Sequence, residues 1–439
     1  MSKKILIQQG RLINPYNKTD GIFDILIQNN KILEISSFIE PNETFEIIDA
    51  RNNIVVPGFI DLHCHLREPG QEFKETVATG TMAAAAGGFT TVCAMPNTFP
   101  PIDSKPILES LTNLSKSTGA IRVLPIAAAT IKSEGKSLTE MFELVDAGAI
   151  GFSDDGNPIY DPFIMRQALN FSAQLKVPII NHCEVPELSK NGVMNESWVS
   201  TQLGLPGIPN SAEESMVSRD ILLSKLTGGH IHIAHVSTSG SVNLIRQAKK
   251  EGVNITCEVT PHHLTLTDSI ILNKDSSSQD FVISNDSYDT RAKVNPPLRT
   301  SSDVDSLIEA LNDGTIDIIA TDHAPHSDID KICTFSEAAF GISNIETAFS
   351  SIYQLVINNQ ISLTKLIESL TIGPAKILGS HQYGNLDQGN FADITIIDLN
   401  KQWEVRPAEF LSKGKNSPID GSTLTSKVVK TIYQGKIVI

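Results

Sequence analysis

Residues 55–70, VVPGFIDLHCHLREPG, change character half-way along. An apolar run through Phe59 and Ile60 breaks into Asp61, His63, His65, Arg67 and Glu68, then stops at Pro69-Gly70. Residues i, i+2 and i+4 of an extended strand share one side. Alternation therefore predicts that His63, His65 and Arg67 face one way where the chain leaves the core. Two imidazoles on one face at the mouth of a strand suit a divalent metal, and a guanidinium beside them suits an anionic ligand.

The same pattern, a short apolar or β-branched run ending in a polar tip, recurs down the chain. The runs are NIVVPGFIDLHCH, FTTVCAMPN, IRVLPIAAAT, AIGFSDDG, VPIINHCE, HIHIAHVS, NITCEVTPHH and IDIIATDHAPH, eight in all. Segments able to form helices lie between them, among them ETVATGTMAAAAGG, SLTEMFELVDAG and DPFIMRQALNFSAQLK. Near-continuous apolar strands alternating with helices predict parallel βα units. Eight such units predict a (β/α)8 barrel, whose chemistry sits at the C-terminal ends of the strands. The wider gap before the eighth run contains a polar stretch at about 274–290, expected to be a surface insertion.

The two ends of the chain read differently. KKILIQQGRLINPYNKTDGIFDILIQNNKILEI and GNFADITIIDLN…KVVKTIYQGKIVI alternate apolar and polar residues around turn signals such as Asn29-Asn30 and Gln434-Gly435. Neither end has enough strands to bury a face alone. The expected arrangement is one discontinuous β-sandwich from 1–57 and 385–439, flanking a barrel at 58–384.

Composition limits the function classes. The chain of 439 residues is 40% hydrophobic and 19% charged, as expected of a folded globular protein. Its 35 Lys+Arg against 50 Asp+Glu give a net charge of −15, which disfavours nucleic acid and anionic membranes as general partners. An acidic substrate would need positive charge concentrated locally. Five cysteines without CxxC spacing predict a reduced, cytoplasmic protein. The opening MSKKILIQQG does not predict a signal peptide, and no apolar run is long enough to span a membrane.

Besides His63 and His65, the strand tips carry Asp154-Asp155, His182, His235 and Asp322. Imidazoles with carboxylates suit Zn2+, singly or as a pair of ions about 3.5–4 Å apart. A lone strand histidine is more often a hydrogen-bonded core residue than a ligand. HxH followed in order by two strand-end histidines and a strand-end aspartate is far more specific. His230 and His232 lie five and three positions before His235, on the opposite face by alternation, and are expected to be structural. His262 and His263 are expected in a loop. Cys64 and Cys183 each adjoin a candidate ligand, but alternation turns them away from it.

The motifs DLHCHLREPG, MPNTFPP, GFSDDGNP, NHCE, AHVST, TPHHLTLTD, KVNPPLR and TDHAPH, in this order, resemble the signatures of the dihydroorotases found in many bacteria, within the amidohydrolase superfamily. The resemblance spans the whole barrel, and the β-rich ends fit that family's small sandwich domain. It implies two Zn2+ per subunit, with His63 and His65 on one ion and His182 and His235 on the other. Many relatives bridge the ions with a carboxylated lysine; GFSDDGNP has none, and Asp155 is its expected replacement. Asp322 would be both ligand and catalytic acid/base. Arg67 and Asn97 would hold the substrate carboxylate, with His65, Asn295, His326 and the backbone around Phe340-Gly341 completing the pocket. The one departure from the family pattern is the polar insertion ahead of KVNPPLR, the motif that holds Asn295.

The implied reaction is reversible closure of N-carbamoyl-aspartate to dihydroorotate in pyrimidine synthesis. Implied partners are the small-molecule substrate, a second copy of the chain and aspartate transcarbamoylase. Two rivals remain. Another cyclic amidohydrolase, such as a hydantoinase or allantoinase, is disfavoured by the missing lysine and by an arginine for which a hydantoin has no carboxylate. A catalytically dead homologue serving as a structural partner of aspartate transcarbamoylase is disfavoured because every expected ligand is present.

Overall fold

The computed structural model describes residues 4–272 and 287–439. Of the polar insertion, 274–286 lie outside the described residues, and its last residues lead into the short turn Thr290–Ala292.

Each of the eight runs contributes a strand to a closed ring. The strands are Phe59–Cys64, Phe89–Ala94, Arg122–Pro125 continued by Ala127–Ala128, Phe152–Ser153, Ile179–Asn181, Ile231–Ile233, Ile255–Val259 and Ile318–Ile319. Neighbours pair in parallel from the first to the eighth. The ring closes where Cys64 bridges His323 and His65 N–H donates to the His323 carbonyl at 3.0 Å. Asp61 reinforces this seam by accepting the Thr321 N–H at 2.8 Å and the Thr321 hydroxyl at 2.5 Å. The predicted helices form between strands as Val77–Ala86, Met141–Asp146 and Pro162–Leu175. Thr76 starts the first with a capping box shared with Thr79; Asp161 caps the third, with proline in its first turn. The fold is therefore a (β/α)8 barrel, and its polar tips gather at one mouth.

The first run is divided. Ile54–Pro57 belongs to a separate sheet, and the barrel strand begins at Phe59. Gly58 is the hinge: a Cβ there would lie 2.2 Å from the Thr90 hydroxyl, so only glycine passes. The separate sheet has eight strands drawn from both ends of the chain. Its order runs Lys436–Ile437, Thr423–Tyr433, Ile394–Glu404, Ile54–Pro57, Lys4–Asn14, Thr19–Gln28 and Lys31–Ser36, with Phe45–Asp49 added beside Lys4–Asn14. The two ends join where Ile54–Pro57 pairs antiparallel with Ile394–Ile397. Ile5, Ile7, Ile25, Ile27, Ile394, Ile396 and Ile432 share its core, so neither end buries these side chains by itself. Among the described residues no helix is long and apolar enough to cross a membrane.

Candidate metal and substrate site

His63 is the most enclosed of the expected ligands, fully buried on the first strand. Its Nδ1 lies 2.6 Å from Glu258 Oε1. Its Nε2 has no hydrogen-bond partner, and neither does the buried Asp155 Oδ1 only 3.4 Å away. His65 turns Nδ1 to Asn97 Oδ1 at 2.9 Å and Nε2 to Asp322 Oδ1 at 3.0 Å and Asp155 Oδ2 at 3.5 Å. Beyond Asp155, His235 Nε2 lies 3.7 Å from Oδ1 and 3.0 Å from His182 Nδ1. Two triads result, His63–His65–Asp155 and Asp155–His182–His235, with Asp155 common to both.

These atoms fit metal ions. A tetrahedral Zn2+ with bonds of about 2.0–2.1 Å separates its ligand atoms by about 3.3–3.4 Å. The spacings around Asp155, 3.4, 3.5 and 3.7 Å, lie at or slightly above that value. Two orphaned buried atoms facing each other would each carry a desolvation cost unless a cation lay between them. The electrostatics agree. Burial by itself would lower the His63 pKa, but Asp155, Glu258 and Asp322 outweigh it and hold it well above the ordinary imidazole value. Burial would raise the Asp322 carboxyl, yet His63, His65 and His235 hold it below the usual carboxylate range. The cluster is built around positive charge.

Of the two acids in GFSDDG, Asp154 faces away. Its carboxylate accepts the Thr130 N–H at 2.9 Å and the Thr130 hydroxyl. Asp155 faces the imidazoles.

The cavity beside this cluster encloses about 200 Å³ and is lined by His65, Arg67, Asn97, Asn295, His326, Phe340 and Gly341, together with Asp155, His182, His235 and Asp322. Every expected substrate-binding residue is thus brought to one cavity, and His63 lies just beneath its floor. Arg67 is 8% exposed and arrives there by a different route from the one alternation suggests. The strand ends at Cys64, and Arg67 adopts a left-handed backbone with φ 61°. Its Nε donates to the Pro325 carbonyl at 3.3 Å. His326 Nδ1 accepts from Lys74 Nζ at 3.3 Å, which leaves Nε2–H to donate to the Phe340 carbonyl at 2.9 Å. His326 is therefore neutral; burial, then Arg67 and Lys74, depress its pKa to about 2. Asn295 stays in the cavity despite the insertion before it, donating to Glu184 Oε2 at 2.6 Å.

Two further sequence readings need correction. His232 does not sit apart from the site: its Nε2 lies 3.1 Å from Glu258 Oε2, behind His63. Alternation fails because the strand stops at Ile233 and His235 has φ 33°, turning that ring inward as well. His262 and His263 are in the short helix Pro261–Thr265 rather than a loop, with Thr260 as its cap. His262 Nδ1 meets Asn344 Nδ2 at 3.0 Å, and His263 Nε2–H donates to the Pro296 carbonyl at 3.0 Å.

Two further residues belong to the site without standing in any of the motifs. Glu258 precedes the polar tip of its run, where a buried acid is rare enough to be a signal. Asn416 comes from the C-terminal segment; it donates to the Ala324 and Gly341 carbonyls, both at 3.0 Å, and accepts the His326 N–H at 3.0 Å. Nothing local marks it.

Known proteins resemble this chain along its whole length. Residues 52–241 match the dihydro-orotase-like family model, and residues 228–439 match the amidohydrolase family. The chain is 45% identical over 437 residues to a dihydroorotase of Syntrophus aciditrophicus, covering 99% of each. It is 46% identical over 436 residues to that of Acetivibrio thermocellus, again covering 99% of each. The chain belongs to the dihydroorotase family. Its fold also superposes on solved relatives. One is the L-hydantoinase (dihydropyrimidinase) of Arthrobacter aurescens, with TM-score 0.86 and 25% identity, covering 100% of this chain and 96% of that one. Another is the dihydropyrimidinase of Brevibacillus agri NCHU1002, with TM-score 0.84 and 22% identity, covering 99% and 95%. These matches speak to the fold; the family rests on the whole-length relatives.

Proposed function

We infer that this chain is a dihydroorotase, a cyclic amidohydrolase that interconverts N-carbamoyl-L-aspartate and L-dihydroorotate in pyrimidine biosynthesis. The observation that carries the reading is the juxtaposition of two metal-binding triads with a guanidinium in one small cavity, in a chain 45% identical to a dihydroorotase over its length. A hydantoin has no carboxylate to place against Arg67. A dead homologue would not need to keep both triads.

The reading assigns two Zn2+ per chain, with His63 and His65 on one ion, His182 and His235 on the other, and Asp155 between them. When bound, the ions would polarise the ring carbonyl and lower the pKa of the attacking water. The protein's own groups do the rest. Arg67 and Asn97 hold the α-carboxylate, with Asn295, His326 and the Phe340-Gly341 backbone closing around the ring. Asp322 accepts the proton released by water and returns it to the departing amide nitrogen. Run backwards, the same groups close the ring. A cytoplasmic homodimer completes the reading.

Loss of dihydroorotate absorbance, with hydantoin and allantoin run alongside, tests it. Turnover of dihydroorotate alone is expected; preferred turnover of hydantoin would reject it.

Arg67→Met keeps the length of the side chain and removes its charge. Losing one side of a buried charged pair costs on the order of 2–5 kcal/mol. The expected result is a fall of that size in kcat/KM for dihydroorotate, with zinc content unchanged. Unaltered kinetics would remove the argument for an acidic substrate.

A further inference from the structure

Glu258 is a buried carboxylate, 1% exposed, in the seventh strand of the barrel wall, behind His63. Among the described residues no lysine or arginine side chain pairs with it; its ion-pair partners are His63 Nδ1 at 2.6 Å and His232 Nε2 at 3.1 Å. An ionised carboxylate is expensive to bury with two imidazoles as its company. A layer of branched aliphatic side chains, the usual filling of such a barrel, would be cheaper there. The hydrogen-bond directions show what the acid does.

His63 Nε2 is buried, unpartnered and directed at Asp155, so the ring proton belongs on Nδ1 and is donated to Glu258 Oε1. Glu258 Oε2 then accepts from His232 Nε2–H. That leaves His232 Nδ1 as an acceptor for the Thr256 hydroxyl at 2.8 Å. The same hydroxyl oxygen accepts from His230 Nε2–H at 2.7 Å, near the half-buried opposite end of the strands. Every hydrogen in the row has one consistent placement, and the two imidazole N–H groups at its upper end point at Glu258.

We propose that Glu258, held by His232, is a positioning residue that fixes the His63 tautomer and ring orientation so that Nε2 is presented to a metal ion with enhanced basicity. This rests on the metal-dependent reading above and adds residues that reading does not use. The carboxylate supplies the negative charge that a ligand histidine gains from an acid on its far nitrogen. Partners of this kind are typically worth 10–100-fold in metal affinity or activity. The arrangement also explains why the acid is tolerated: its charge is matched once a cation lies beyond His63.

Glu258→Gln is the decisive variant, because the amide keeps the shape and can still accept from His63 Nδ1–H while removing the charge. Zinc-loaded protein is dialysed against graded dipicolinate and its zinc content measured. The variant is expected to release one of its two ions at a 10–100-fold lower chelator concentration, the other leaving as in the wild type. In 15N-histidine spectra of the zinc-loaded protein, the downfield Nδ1 proton of His63 is expected to move upfield. With excess zinc, kcat is expected to remain depressed while KM stays near the wild-type value.

A merely space-filling Glu258 would leave zinc release and the Nδ1 resonance unmoved, and that result overturns the proposal. Should Glu258→Gln fail to fold, His232→Leu carries the same test; it removes one donor to Glu258 without touching a ligand and should shift zinc release in the same direction by a smaller factor. A wild-type protein that binds no zinc would overturn both this proposal and the functional reading. Zinc binding and dihydroorotate turnover in the wild type, with unchanged zinc release from both variants, would overturn this proposal alone.

Discussion

An Asp155→Ala protein is expected to retain neither zinc ion under mild dialysis and to hydrolyse dihydroorotate on the order of 10⁴-fold more slowly, about 5.4 kcal/mol at 1.36 kcal/mol per decade. The size follows from where the carboxylate stands. Oδ1 lies 3.4 Å from His63 Nε2 and 3.7 Å from His235 Nε2, while Oδ2 lies 3.5 Å from His65 Nε2. Both triads use it, so its removal leaves each with two imidazoles and takes away negative charge from both at once. A polarising cation supplies several kcal/mol of transition-state stabilisation, and this variant forfeits that contribution. Zinc content by mass spectrometry and the absorbance assay read the two effects separately. Asp154→Ala is the control, since its carboxylate faces Thr130. If Asp154→Ala lost the metal and Asp155→Ala kept it, the bridging assignment would be reversed.

That assignment shows how far sequence reaches here. The barrel is legible because each strand is a short apolar run and each functional group sits at its end. Period locates His63 and His65, and position at a strand end locates His182, His235 and Asp322. Choosing between Asp154 and Asp155 needs either the family resemblance or the structure, because the two adjacent residues just past the strand Phe152–Ser153 face different ways and nothing in GFSDDG says which way is inward. The Thr130 hydrogen bonds decide it.

Alternation misleads where the backbone leaves the β region. Arg67, His235 and Asp322 all have positive φ, at 61°, 33° and 45°. Non-glycine residues take that conformation at a cost of order 1–3 kcal/mol, and such residues cluster at functional sites. Side-chain direction there is set by the turn rather than by period 2. Alternation consequently puts His232 on the wrong side and gives no hint of Glu258 behind it. The importance of Glu258 depends on ring closure, which brings the first and seventh strands to either side of the eighth, a contact separated by 195 positions in the chain. Asn416 is a similar case, reaching His326 across 90 positions. Local patterns carry no record of such contacts.

Asp322 carries the last expectation. Asp322→Asn should keep most of its zinc and lose about 10²–10⁴ in turnover, the usual worth of a general acid–base group. The carboxylate stands at the end of the eighth strand, Oδ1 3.0 Å from His65 Nε2 and 3.5 Å from His63 Nε2, and lines the same cavity as Arg67 and His326. Surrounding imidazoles hold its pKa below the ordinary value, so it is ionised at neutral pH and free to accept a proton. Asparagine preserves the shape and one oxygen ligand. It cannot take a proton from water and hand it to the departing nitrogen. Unlike Asp155, Asp322 is not shared by both triads, so its amide should weaken metal binding far less than it weakens turnover. The ratio of the two losses is therefore the measurement. An Asn variant with normal turnover would make Asp322 a ligand alone. Equal losses of zinc and activity would mean the same, and the proton would then have to travel through another group lining the cavity.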